Sequence, residues 1–177
     1  MPMRLALLLF TAAAAFAQSG QQFAELKDLH LTAGQTLAAC RVGYRTYGRL
    51  NADGSNAILW PTWFSGKTEQ LEGFIGPGKM VDSSRYYVVT VDALGNGVSC
   101  SPSNTTGAFP AISIRDMVNS QYRLLTEKLG VKHLHAVMGI SMGGMQTFEW
   151  MVAYPTFLRR AIPIVGSPRL STPDLLL

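Results

Sequence analysis

The chain is short of charge, of cysteine and of histidine, and each shortage excludes something. Charged residues are 15% of the 177 positions, and the formal net charge of +4 is spread without a basic stripe. That balance argues against nucleic acid as a partner. The cysteines are two, Cys40 and Cys100, sixty positions apart. Export would permit a bond between them, but the spacing does not bring them together, so they read as separately buried thiols. No cysteine–histidine cluster has metal-ligand spacing and no His-Glu-x-x-His is present, so neither a metal nor a tightly held cofactor is expected. His133 and His135 read as a same-face strand pair without a third ligand. Gly95-Asn96-Gly97 lacks the third glycine and the following helix that a dinucleotide would need.

Apolar residues are concentrated at the start. Met1 to Phe16 carries one charge, Arg4, with Leu5 to Phe10 and an alanine run behind it. Ala15-Phe16-Ala17 before Gln18 has the small-x-small form of a processing site, so residues 1–17 read as a signal peptide and 18–177 as the working chain, secreted or periplasmic. The run is short for a membrane span and no stop-transfer pattern follows, so no stable span is expected after cleavage. Cleavage removes Arg4 and no acid, and the formal charge falls from +4 to +3. Leu37-Ala38-Ala39-Cys40 has the look of a lipoprotein site but lies too far behind the apolar run to act as one.

The body of the chain alternates between two periods. Asp28 to Thr32 and Cys40 to Tyr47 read as strands around the turn Ala33-Gly34-Gln35. Ala57 to Trp60 and Tyr86 to Val91 read as buried strands. The loop Ala93 to Ala111 is long enough to suggest function or disorder. Ser113 with Asp116 is a capping-box signal, and Ile114, Met117, Val118, Tyr122, Leu125 and Leu129 give the helix behind it one apolar face, ended by Gly130. Leu134 to Met138 is a strand, Met142 to Ala153 a helix, Ala161 to Val165 a last strand. Strand and helix alternating in this way call for an α/β fold: a mostly parallel sheet flanked by helices on both faces. The uncovered last strand and the ending Leu175-Leu176-Leu177 suggest a domain incomplete at its C-terminus.

The chemistry centres on Gly139-Ile140-Ser141-Met142-Gly143, a G-x-S-x-G pattern between a strand and a helix. Such a corner exposes a serine hydroxyl beside a helix N-terminus, with glycines where backbones must approach. Ser141 is the expected nucleophile. The N–H of Met142 is one expected oxyanion donor, and the loop Pro61 to Gly66 should bring the second, at Phe64. Asp92 reads as a loop-shaping residue, since the acid of such a site follows the nucleophile in sequence. Glu149 reads as structural and Asp174 is given no role. His30, His133 and His135 all precede Ser141, so no histidine stands where the usual order puts the base.

These residues carry a resemblance. Phe74-Ile75-Gly76-Pro77-Gly78-Lys79, Ile114-Arg115-Asp116-Met117-Val118, Leu134 through Gln146 and Arg160-Ala161-Ile162-Pro163-Ile164 are similar to the homoserine O-acetyltransferase family of the α/β-hydrolase superfamily, over Ala57 to Leu170. The resemblance implies an acyl group passed from a small-molecule donor, acetyl-CoA in the named enzymes, through Ser141 to a hydroxyl acceptor. It puts the acid and histidine beyond residue 177, so the chain alone is expected to be inactive or nearly so; the uncovered last strand makes it prone to edge association. Thr62-Trp63-Phe64-Ser65-Gly66 stands where the family has His-Ala-Leu-Thr-Gly. With the export signal, that change supports the alternative, a secreted serine esterase acting on an ester substrate with water as acceptor. A non-catalytic binding or dimerisation module is the third reading, and a homodimer is the assembly to consider.

Overall fold

The structure, a computed structural model, describes residues 20–169. The expected signal peptide, Asp174 and the terminal leucines lie outside the described residues. The elements are β1 (Gln22–His30), β2 (Thr36–Tyr47), β3 (Ala57–Pro61), a short 3-10 helix (Thr68–Phe74), β4 (Tyr87–Val91), α1 (Ile114–Arg123) running into a π-helical turn (Leu124–Lys128), β5 (Ala136–Ile140), α2 (Met142–Ala153) and β6 (Ala161–Ile164). They form one sheet in the order β1-β2-β4-β3-β5-β6. β1, β2 and β4 pair antiparallel, while β4, β3, β5 and β6 run parallel.

Side-chain alternation along the parallel strands splits the core in two. Leu59, Val89, Val91 and Val137 face Val118, Leu124, Leu125 and Trp150 of the helical layer. Ile58, Trp60, Val88 and Met138 face the other way, onto Leu71, Ile75 and Val81. Sequence alternation predicts helices on both faces. Among the described residues α1 and α2 share one face, and the 3-10 helix with the segment behind it covers part of the other. β6 lies at the sheet edge, with Ile162 exposed and Val165 beyond it more so.

The hairpin is longer than expected. β1 starts at Gln22 rather than Asp28, and β2 at Thr36 rather than Cys40. Only one hairpin face is buried, so polar Glu25 and Lys27 point outward between buried Ala24, Leu26 and Leu29 and mask the strand period. β5 begins at Ala136, two residues later than Leu134. Leu134 instead makes an isolated bridge to Leu158.

Cys40 and Cys100 are joined by a disulfide, with Cα atoms 5.4 Å apart, which corrects the expectation of separate thiols. The cause is the path of the loop after β4. It turns back along β2, where Asp92 N donates to Gly43 O and Cys100 N to Arg41 O, both at 2.9 Å. That loop is ordered by its own polar side chains. Asn96 Oδ1 accepts from the N–H groups of Val98 and Ser99 at 2.9 and 3.1 Å, and Asn104 Oδ1 accepts from Ser101 N at 2.9 Å.

The capping box of α1 forms as expected. Ser113 Oγ accepts from Asp116 N, and Ser113 N donates to Asp116 Oδ2 at 2.8 Å. Asp116 also accepts from Thr32 N at 2.7 Å, tying the helix start to the end of the hairpin. Burial pushes its carboxyl pKa up, but the hydrogen bonds from Ser113 and Thr32 together outweigh it and hold the group below its ordinary value.

Candidate active site

Ser141 occupies the corner between β5 and α2 with φ 56° and ψ −120°, a conformation rare for any residue but glycine. Neighbouring backbone enforces it. Ser141 N donates to Ile164 O at 2.9 Å, and Ser141 O accepts from Met145 N at 3.0 Å. The glycines around it are needed for close approach. A Cβ on Gly139 would overlap the Gly143 carbonyl, and one on Gly143 would lie 2.8 Å from Pro61 O at the end of β3. Gly166, which no local motif marks, plays the same part beyond β6. Its Cβ would lie 2.7 Å from Gly144 Cα.

The corner leaves the Ser141 side chain exposed, at the C-terminal end of β5. Met142 is the first residue of α2, so its N–H has no intrahelical acceptor and sits at the positive end of the helix. Across from it, Thr62 to Lys67 links β3 to the 3-10 helix. Within this loop Gly66 N donates to Trp63 O at 3.0 Å, with Ser65 at φ 57°, so Phe64 and Ser65 form the tip of a tight turn. The Phe64 side chain is 77% exposed and does not serve as packing under the loop. Phe64, Ser65, Leu94, Gly95, Met117 and Met142 line one cavity of about 330 Å³. Both expected donor residues therefore border one opening, Met142 being the residue that follows Ser141.

Buried polar side chains, not read from sequence as part of the site, hold this opening together. Gln146 of α2 donates through Nε2 to Thr62 O at 3.1 Å, and its Oε1 accepts from Gln121 Nε2 of α1. Gln121 Oε1 in turn accepts from Trp150 Nε1 at 2.8 Å. Thr62 Oγ1 accepts from Ala93 N at 3.0 Å, and Thr62 N donates to Val91 O at the same distance. Asp92 is buried behind the loop and organises it, in keeping with the loop-shaping role read from sequence. Glu149 pairs with Arg115 across the two helices, a structural contact.

The histidines lie elsewhere. His30 ends β1, with Nδ1 2.9 Å from Thr36 Oγ1. His133 and His135 precede β5 rather than lying within it, at the end of that strand opposite Ser141. His135 packs against Tyr86 at 5.0 Å between ring centroids, and its Nε2 accepts from Arg160 Nη1 at 3.2 Å. Burial first, and the Arg160 charge second, lower its pKa. His135 borders a larger cavity of about 590 Å³ on the other sheet face, away from Met142 and Phe64. Among the described residues no group of three or more His, Cys, Asp or Glu side chains is placed to hold a metal ion. No helix among them is long and apolar enough to cross a membrane.

A mostly parallel sheet with a strained serine at a strand–helix corner is an α/β hydrolase architecture, and residues 66–176 match the alpha/beta hydrolase fold family. The chain belongs to that family. It is 44% identical over 154 residues to an ethyl acetate hydrolase of Pseudomonas veronii, covering 84% of this chain and 44% of the relative. It is 39% identical over 166 residues to a homoserine O-acetyltransferase of Geotalea daltonii, covering 81% of this chain and 45% of the relative. The crystal structure of the acetyl esterase MekB superposes with a TM-score of 0.87 at 41% identity, covering 89% of this chain and 48% of that one. The chain thus spans less than half the length of these relatives, which include both esterases and homoserine acyltransferases.

Proposed function

We propose that the protein carrying this chain transfers a short acyl group through Ser141 and that water is the acceptor, making it an esterase of acetyl-class esters. The observation that carries the first half is the geometry of Ser141: a hydroxyl forced outward at φ 56°, beside the N-terminus of α2 and the cavity bordered by Phe64. A general base takes the Ser141 Oγ proton, and Oγ bonds to the acyl carbon. The carbonyl electron pair moves onto oxygen, where the N–H groups of Met142 and Phe64 receive it. When the carbonyl re-forms, the ester C–O bond breaks and the alcohol leaves with the proton. Water then repeats the sequence against the acyl-enzyme. In this reading the base and its acid partner are those the resemblance puts beyond residue 177.

Water as acceptor is supported by the hydrolase and esterase names among the relatives at 44% and 41% identity. The second reading, transfer from acetyl-CoA to the homoserine hydroxyl, is supported by the 39% identity to a homoserine O-acetyltransferase. A paired assay separates them: 4-nitrophenyl acetate in water against acetyl-CoA plus homoserine. Ester turnover without O-acetylhomoserine supports the esterase. Acetyl-CoA-dependent O-acetylhomoserine formation overturns it in favour of the transferase. Residues 1–17 as an export signal remain a companion proposal, checked by N-terminal sequencing of exported material, where intact Met1 would refute it.

A further inference from the structure

Asp92 is 1% exposed, yet no ion pair among the described residues involves it. An unpaired carboxylate is held in such a place only by hydrogen bonds. Its neighbours are arranged to supply them. Oδ1 accepts from Thr68 N and from Asn96 Nδ2, each at 3.0 Å. Oδ2 accepts from Gln21 Nε2 at 3.1 Å. Thr68 Oγ1 lies 3.0 Å from both Asp92 Oδ2 and Gln21 Oε1, with one proton to give to either. The carboxylate therefore sits where donors from the N-terminal segment, the 3-10 helix and the loop after β4 converge.

The segment so gripped is the one that carries Phe64. Its entry is fixed at Thr62 by Val91 O, by Ala93 N and by Gln146. Its exit is fixed at Thr68 N by Asp92. Its middle is fixed by Asn96, whose Nδ2 lies 2.8 Å from Gly66 O and 3.0 Å from Asp92 Oδ1. The exposed Phe64 side chain contributes little to its own placement, so the position of its N–H depends on these anchors.

We infer that Asp92 is a positioning residue of the reaction: through Thr68 N and Asn96 it sets the Phe64 N–H against the acyl oxygen. The inference rests on the serine acyl-transfer reading above. Asp92 does not touch substrate. Its effect belongs in the transition state, because a displaced oxyanion donor weakens stabilisation of developing charge more than ground-state binding.

The test uses the intact protein and 4-nitrophenyl acetate, with kcat expressed per Ser141 labelled to completion by a fluorophosphonate. Asp92→Ala should lower kcat per labelled serine by about 10²-fold, with KM nearly unchanged. Asn96→Ala, at a half-buried loop site, should lower it by about 10-fold and carries the test if Asp92→Ala does not fold. Asp92→Asn should recover most of the loss. Its remaining oxygen can serve Thr68 N and Asn96, its amide can turn to the Thr68 hydroxyl, and only the bond from Gln21 Nε2, outside the segment that carries Phe64, is given up. A purely structural role would lower thermal stability and the labelled fraction while leaving kcat per labelled serine intact. That result, or a loss confined to KM, overturns the inference and leaves the nucleophile standing. If the wild-type protein is not labelled at Ser141, the acyl-transfer reading fails and this inference fails with it.

Discussion

Gln146 Nε2 donates to the Thr62 carbonyl at 3.1 Å, joining the helix behind Ser141 to the loop that carries Phe64. Both residues are fully buried, so the bond cannot be replaced by bulk water. It fixes the two sides of the opening to each other, and the Gln121 amide behind it anchors the pair to α1.

Gln146→Ala should therefore destabilise the fold by about 1–3 kcal/mol, the range for stranding buried polar partners. Denaturant unfolding measures it. Ester turnover should fall as well, since Thr62 O and the Gln121 amide are left unpaired. Unchanged stability and turnover would show that the contact is incidental.

The disulfide between Cys40 and Cys100 closes a loop of about sixty residues and should stabilise the fold by about 4 kcal/mol on the chain-entropy relation. Replacing both cysteines with alanine, or reduction by dithiothreitol, should lower Tm. It should also loosen the segment that brings Leu94 and Gly95 to the cavity. Equal Tm with and without reductant would contradict this.

Asp116 makes stability pH-dependent in a stated direction. Its folded pKa lies below the ordinary value of 3.8. Its contribution is thus complete above that value and is lost as pH falls through the lower, folded one. Asp116→Ala should cost about 1–3 kcal/mol near neutral pH by leaving Ser113 N and Thr32 N without their acceptor, while the Ser113 Oγ cap onto the backbone N–H of residue 116 remains. The mutant should show a shallower loss of stability on acidification. An identical acid profile in mutant and wild type would remove Asp116 from the account.

Gly139→Ala tests the corner itself. The added methyl meets the Gly143 carbonyl, and overpacking of this kind typically costs about 1–3 kcal/mol. Where the variant still folds, Ser141 should lose its reaction with a fluorophosphonate. A fully reactive variant would mean that the corner tolerates bulk that the structure gives no room for.

The corner was legible in sequence because its determinants are local. Gly139, Ser141 and Gly143 lie within five positions, and an apolar strand and an apolar helix flank them. The capping box of α1 was legible for the same reason, since Ser113 and Asp116 are three residues apart. What sequence did not show is set by pairing across distance. Cys40 meets Cys100 only because the loop after β4 folds back on β2. Gln146 reads as an ordinary helix residue until Thr62 is placed opposite it. Asp92 could be read as shaping a loop, but not as gripping Thr68 and Asn96 together. The start of β5 is not legible in sequence because Leu134 is as apolar as a strand residue, and its bridge to Leu158 lies outside local pattern.

The central claim is that Ser141 becomes acylated. The direct measurement is peptide mass spectrometry of the intact protein, quenched during turnover of a short acyl ester, beside the Ser141→Ala variant. The account predicts an acyl adduct on the peptide containing Ser141 and none in the variant. An adduct on a different residue, unchanged by Ser141→Ala, would contradict it.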